Sequence, residues 1–188
     1  MLYSYDKVIT SEDIFCDFVH YTILDMDLDE IKNKCYTFRK TLPRGNRSNR
    51  NGWQSKVLTN GLNSLQDTVH DFITRALNTI RVKDSYYWIN INNDNGYNVI
   101  HHHCRTDLIA IVYITAPIDS GNLVVQRNDG STYTKLYMKT TDPKYSLAWS
   151  HTPKAGEIIL LPGHVWHHVE PNNTKEDRIS ISFNITCE

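Results

Sequence analysis

From position 86 onward the chain stops repeating every three or four residues and begins to alternate, which restricts its fold more than any other feature. Segments 86–92, 97–103, 108–116, 122–126, 132–138, 157–161, 165–170 and 178–186 carry β-branched and aromatic residues at strand spacing. Turn signals stand between them: Asp94-Asn95-Gly96, Asp119-Ser120-Gly121, Asn128-Asp129-Gly130, Ala155-Gly156 and Pro171-Asn172-Asn173. About eight short strands with turns at this density predict a sandwich or barrel, and eight is the jelly-roll number.

The front of the chain has the other period. Leu28, Ile31, Cys35, Phe38 and Leu42 recur at helical spacing, with Asp27 or Asp29 as the cap and Pro43 as the stop. A second stripe runs through Leu62, Leu65, Val69, Phe72, Ile73, Ala76, Leu77 and Ile80, and Ser64 with Asp67 would form its capping box. Both stripes are core surface. Segment 44–55, rich in Gly, Asn and Arg, is expected to be a long loop of the kind usually kept for function or left disordered. The fold class expected is mostly β, a double-stranded β-helix (jelly roll) with N-terminal supporting α-helices. The 188 residues fit one domain, with 1–84 as the helical part and loop and 85–188 as the jelly-roll core.

Bulk properties narrow the partners. A net charge of -1 and a pI near 6.7 give no strong nucleic-acid signature. The short basic stretch Arg39, Lys40, Arg44, Arg47, Arg50 reads as a solvated loop. No apolar run is long enough to span a membrane, the N-terminus lacks a secretion pattern, and the four cysteines have no CxxC spacing. A cytoplasmic setting is therefore expected. No feature of the sequence sets an oligomeric state.

The histidines carry the chemistry. Seven of nine lie between positions 101 and 168; His20 and His70 sit on segments expected to be helical. Side chains on a strand alternate faces, so His101 and His103 point one way and His102 the other. His167 and His168 are likewise opposed, so one of them can join the pair. Three such imidazoles would leave three positions open on a metal, enough for a chelating cosubstrate and dioxygen. Imidazole binds metal only when deprotonated, so affinity is expected to drop below roughly pH 6 to 6.5.

A set of motifs in fixed order carries a family likeness: Trp88-x-Asn90, Gly96, Asn98-x-x-His101-x-His103, Gly121-x-Leu123, Gly156 followed by Pro162, His167-x-Val169 and Arg178-x-Ser180. Over roughly 48–185 the chain resembles the 2-oxoglutarate- and iron(II)-dependent oxygenases, especially an uncharacterised branch often encoded by bacteriophages and marine bacteria. That branch has a segment like Asn51-Gly52-Trp53-Gln54-Ser55 ahead of the barrel and a closing strand like the one beginning at Arg178. The resemblance implies a cytoplasmic, phage-encoded enzyme acting in an infected host.

The resemblance also implies roles. His101, His103 and His167 would bind Fe(II), and Arg178 would grip the far carboxylate of 2-oxoglutarate, a task that suits the planar fork of a guanidinium. Ser180 would add a bond, and Asn98 and Tyr113 are further candidates for cosubstrate contact. The reaction implied consumes dioxygen, turns 2-oxoglutarate into succinate and CO2, and hydroxylates a C–H bond of a small-molecule or macromolecular substrate. The chain departs from the usual pattern at His103, where most of the superfamily has a carboxylate. Three neutral imidazoles leave the site one unit more positive. This keeps open a three-histidine metalloenzyme that does not use 2-oxoglutarate, either a cupin-like dioxygenase or a zinc hydrolase, and a non-catalytic jelly-roll binding module. Asp107 is not expected to bind metal. Segments 44–55 and 139–154 are expected to frame the mouth of the site.

Overall fold

In the computed structural model the described residues are 17–45, 47–127 and 146–188. Helix α1 (Leu28–Thr41) starts where Asp27 accepts a hydrogen bond from the Glu30 N–H at 2.9 Å. Asp29 and Glu30 in its first turn and Arg39 and Lys40 in its last complement the helix dipole. It ends as Leu42, ahead of Pro43, turns extended and donates its N–H to Phe38 O. Helix α2 (Asn63–Leu77) starts differently from expectation. Ser64 already lies inside the helix, and no side chain caps its start. Packing sets the start instead, because the N–H of the buried Leu62 donates to the Tyr87 hydroxyl oxygen at 3.1 Å.

The strands are β1 (His20–Ile23), β2 (Asn49–Arg50), β3 (Trp53–Gln54), β4 (Val82–Asn92), β5 (Tyr97–His101), β6 (Leu108–Thr115), β7 (Leu123–Gln126), β8 (Ala148–His151), β9 (Glu157–Pro162), β10 (Trp166–Val169) and β11 (Arg178–Cys187). They form two sheets, ordered β1-β9-β6-β11-β4-β3 and β2-β5-β10-β7-β8, with antiparallel pairing throughout. This is the jelly roll that the strand spacing predicts. The expected strand 132–138 lies outside the described residues.

Two expectations are corrected here. His20 opens strand β1 rather than lying on a helix. Segment 44–55 is not a free loop, because its buried backbone groups need partners and find them on both sheets. Asn49 and Arg50 pair with Asn98 and Tyr97, while Trp53 and Gln54 pair with Ile91 and Asn90. No helix of the described residues is long and apolar enough to cross a membrane.

Strand alternation sorts the two faces of the larger sheet. On β11, Ile179, Ile181, Phe183 and Ile185 pack into the core shared with both helices. Arg178, Ser180, Ser182 and Asn184 take the opposite face, toward the second sheet. Their register partners form polar and apolar layers across the barrel: Asn92 beside Arg178, Asn90 and Tyr113 beside Ser180, Trp88 and Ile111 beside Ser182, Tyr86 and Ile109 beside Asn184. Strand β6 reads as an unbroken apolar run because both of its faces are covered.

Candidate metal centre

Strand β10 brings its second residue, His167, into register with His101, the last residue of β5. His103 follows two residues on, its N–H held by Gly163 O at 2.9 Å. The ring centroids of His101, His103 and His167 lie 4.4–5.2 Å apart. One ligand atom from each lies within 4.8 Å of the others. His102 faces away and packs on Trp166 at 4.6 Å. His168 lies next to His167 and so points to the side opposite it.

Each of the three rings spends its Nδ1 on an oxygen. His101 donates to Val99 O at 2.8 Å, His167 to Val165 O at 3.0 Å, and His103 to Asn184 Oδ1 at 2.5 Å. A carbonyl can only accept, so Nδ1 carries the proton and the Nε2 lone pair is left for a metal. Asn184 is itself oriented, since its Nδ2 donates to Tyr86 Oη at 2.8 Å and Thr106 Oγ1 at 2.9 Å. Asn184→Ala is expected to lower the affinity for divalent metal by about 10–100-fold, the usual cost of losing an outer partner of a ligating imidazole. Competition with a chromogenic chelator measures it, and unchanged affinity would remove this role.

Burial pushes the imidazole pKa values down, to about 3 for His167 and about 4 for His103, with mutual repulsion of the rings adding to it. His101 moves the same way, again chiefly through burial. Protons therefore compete for His103 and His167 in the folded protein only well below the pH 6 to 6.5 expected of a free imidazole. The cost appears instead in stability. As pH falls through 6.5 the unfolded chain takes up protons that the folded one refuses, so the unfolded state binds more and stability falls with it. The metal-free protein is expected to lose stability steadily from about pH 6.5 toward pH 4. Urea unfolding at stepped pH measures this, and a flat profile would contradict the burial of these rings.

At the far end of β11, Arg178 is 1 % exposed and has no carboxylate partner among the described residues. Its Nη1 donates to the carbonyls of Ser120 and Glu170, and its Nη2 to Gly96 O at 3.4 Å. Gly121, at φ +90°, lets the turn carrying Ser120 close on Glu170, where a Cβ would stand 2.5 Å from Glu170 O. An ion pair of Arg178 with Glu170 or Asp177 does not form. The Glu170 carboxylate takes the Asn122 N–H, and Asp177 faces Arg39 and Tyr36. No acceptor stands on the Nε–H of Arg178 among the described residues.

The other predicted residues are Tyr113, Ser180 and Asn98. The Tyr113 hydroxyl is buried with no hydrogen-bond partner, and burial pushes its pKa up to about 12. Ser180 lies in register with Tyr113. Asn98 would face away from His101 by strict alternation, but an irregularity in β5 pairs Val169 with Asn98 and His167 with His101. That shift puts Asn98 on the face of the two histidines, with its Nδ2 on Ser48 Oγ at 3.1 Å.

With the geometry in place, the comparisons are direct. The model of the family described as putative 2OG-Fe(II) oxygenase matches residues 86–184. The chain belongs to this family. The oxygenase is thus an oxidoreductase of the class that uses iron(II), 2-oxoglutarate and dioxygen. No curated protein matches it. Its fold is similar to a prolyl-4-hydroxylase from Pseudomonas putida, at 14 % identity and TM-score 0.62, over 89 % of this chain and 91 % of that one. It is also similar to the non-heme α-ketoglutarate-dependent carbocyclase SnoK from nogalamycin biosynthesis, at 12 % identity and TM-score 0.64, over 89 % and 78 %. A third likeness is to a Trichoplax adhaerens prolyl hydroxylase solved with a peptide of hypoxia-inducible factor, at 10 % identity and TM-score 0.63, over 90 % and 82 %.

Asn184, the hydrogen-bond partner of His103, belongs to this candidate site beyond the residues expected from the sequence. Its signal was the alternation Arg178, Ser180, Ser182, Asn184, four polar residues on one face of a strand whose other face is wholly apolar.

Proposed function

We propose that His101, His103 and His167 hold the iron(II), that Arg178 with Tyr113 and Ser180 receives the far carboxylate of 2-oxoglutarate, and that the reaction hydroxylates a C–H bond. The observation that carries this reading is the buried guanidinium of Arg178, bonded to backbone carbonyls but to no carboxylate among the described residues, near the buried, unpartnered hydroxyl of Tyr113. A buried cation without a counter-ion is costly, and a carboxylate laid against the open Nε–H edge would satisfy both groups. The three Nε2 lone pairs suit a divalent first-row metal.

When bound, iron and 2-oxoglutarate together supply the oxidising chemistry, with dioxygen consumed and succinate, CO2 and hydroxylated product formed. The chain's share is position and exclusion of water. Val99, Val165 and Asn184 fix the three ring planes. Asn98 borders the cosubstrate on the histidine side. Ile109, Ile111, Leu123, Ile159 and Leu161 form an apolar wall that keeps bulk water from the reacting atoms. The free thiols of Cys35, Cys104 and Cys187 accord with a reducing, intracellular setting.

Anaerobic titration of the iron-loaded protein with 2-oxoglutarate tests the reading. A visible charge-transfer band at one equivalent, followed by succinate on admitting oxygen, is expected. Absence of the band, together with zinc-supported turnover that needs no oxygen, would establish a three-histidine hydrolase instead.

A further inference from the structure

We propose that Arg47 is an anion-binding residue of the substrate site, so that the substrate carries a carboxylate or phosphate close to the carbon that is oxidised. The inference rests on the functional reading above and concerns the outer end of the same site.

Arg47 is exposed, with its guanidinium carbon over the Trp88 ring at 5.4 Å from the centroid. Trp88 is buried, and its ring stands 5.3 Å from that of His103. The indole is thus a platform between the cation and the candidate metal ligand. A guanidinium resting on an aromatic face keeps its N–H edges free for the coplanar oxygens of an oxyanion.

The backbone beneath Arg47 is fixed. Its N–H donates to Gln54 Oε1 at 3.0 Å, Gln54 Nε2 donates to Asn90 Oδ1 at 3.0 Å, and Asn90 Nδ2 donates to Ser182 Oγ at 3.2 Å. Gln54, Asn90 and Ser182 are all buried, so this chain of amides ties the segment to the barrel wall. Arg50 turns back and donates to Arg47 O at 2.7 Å and Asn49 O at 3.0 Å. Much of the ordering cost that binding would impose is therefore already met.

Arg47 also has no acidic partner among the described residues, whereas Arg39 lies by Asp177 and Arg75 pairs with Asp71. Its charge acts on His103, and no carboxylate is among the groups whose fields act on His101, His103 or His167. An exposed cation with no carboxylate beside it attracts anions.

Arg47 does not duplicate Arg178. His103 is bonded to Asn184, and Asn184 stands six residues along β11 from Arg178, about 20 Å at roughly 3.3 Å per residue. The two arginines thus stand toward opposite ends of the polar face of β11, Arg178 buried and Arg47 exposed.

Calorimetric titration of anaerobic protein loaded with iron(II) and 2-oxoglutarate is the test, with phenyl phosphate, benzoate and neutral benzamide as probes. At least one of the two anions is expected to bind, with benzamide tenfold weaker or silent, and the preferred anion names the group as phosphate or carboxylate. Arg47→Gln is expected to weaken the anion at least tenfold, while Arg44→Gln, a change to an exposed arginine of the same segment, leaves it within twofold. Equal anion binding by wild type and Arg47→Gln, or equal binding of benzamide and the anions, overturns the proposal. So does a tenfold shift of the 2-oxoglutarate titration in Arg47→Gln, which would make the residue a cosubstrate contact. The charge-transfer titration is run on the same samples. A missing band in wild type strikes the cosubstrate reading alone, because the Arg47 isotherms are then repeated on the metal-free protein.

Discussion

His167→Ala is expected to abolish stoichiometric metal binding and, with it, oxygenase turnover. His167 is the most buried of the three rings, lies 4.4 Å from the His101 ring and 5.2 Å from the His103 ring, and has its Nδ1 committed to Val165 O. Losing a metal's direct donor costs more than losing an outer hydrogen-bond partner, so affinity should fall by well over about 100-fold. The variant has a second signature that a merely damaged fold would not show. A ring with a pKa near 3 subtracts stability as pH falls from 6.5, and its removal takes that subtraction away. Metal-free His167→Ala should therefore lose less stability than the metal-free parent between pH 6.5 and 4, although it carries a new cavity at neutral pH. Thermal melts with and without added Fe(II), Co(II) or Zn(II) give the first result and urea melts at stepped pH the second. Metal-dependent stabilisation of undiminished size in His167→Ala would remove this residue from the ligand set.

Much of this centre is legible in the sequence because strand geometry is simple. Alternation alone separates His101 and His103 from His102, and the rings do converge as that rule requires. It leaves His167 and His168 equivalent, and what distinguishes them is pairing: His167 registers with His101 across β10 and β5, which no local pattern encodes. Asn98 shows the limit from the other side. Its place on the histidine face depends on one extra residue in β5, a shift invisible to a period of two. Segment 44–55 misleads for a related reason. Gly, Asn and Arg advertise a loop, yet Asn49 to Gln54 bridge the two sheets through four short pairings with residues far along the chain. The start of α2 fails likewise, since the group that receives the Leu62 N–H is a tyrosine hydroxyl on β4, not a neighbour in sequence. Where local chemistry suffices, as for Asp27 at the start of α1, the expected cap forms.

The other large effect is expected at Arg178. Arg178→Leu should raise the 2-oxoglutarate concentration needed for half-formation of the iron chelate by about 100-fold or more, since hydrogen bonds to charged groups contribute about 1.5–3 kcal/mol each and the open edge offers two. Metal affinity should stay within about twofold, because the three imidazoles belong to other strands and none of their partners touches this side chain. The variant should also reverse a preference. A 2-oxo acid with an uncharged tail, such as 2-oxopentanoate, leaves the parent's guanidinium unpaired but meets only carbon in Arg178→Leu, so it should gain on 2-oxoglutarate there. Folding is the competing concern, since leucine strands the carbonyls of Ser120 and Glu170, while Gly96 O keeps the Asn172 N–H at 2.9 Å. Arg178→Lys addresses it by keeping the charge and a donor for those carbonyls while giving up the planar fork. Its fold should therefore survive, with 2-oxoglutarate affinity between the other two proteins. The same anaerobic titration reads all three, and an unchanged 2-oxoglutarate curve in a folded Arg178→Leu would take the anchor away from this residue while leaving the metal ligands in place.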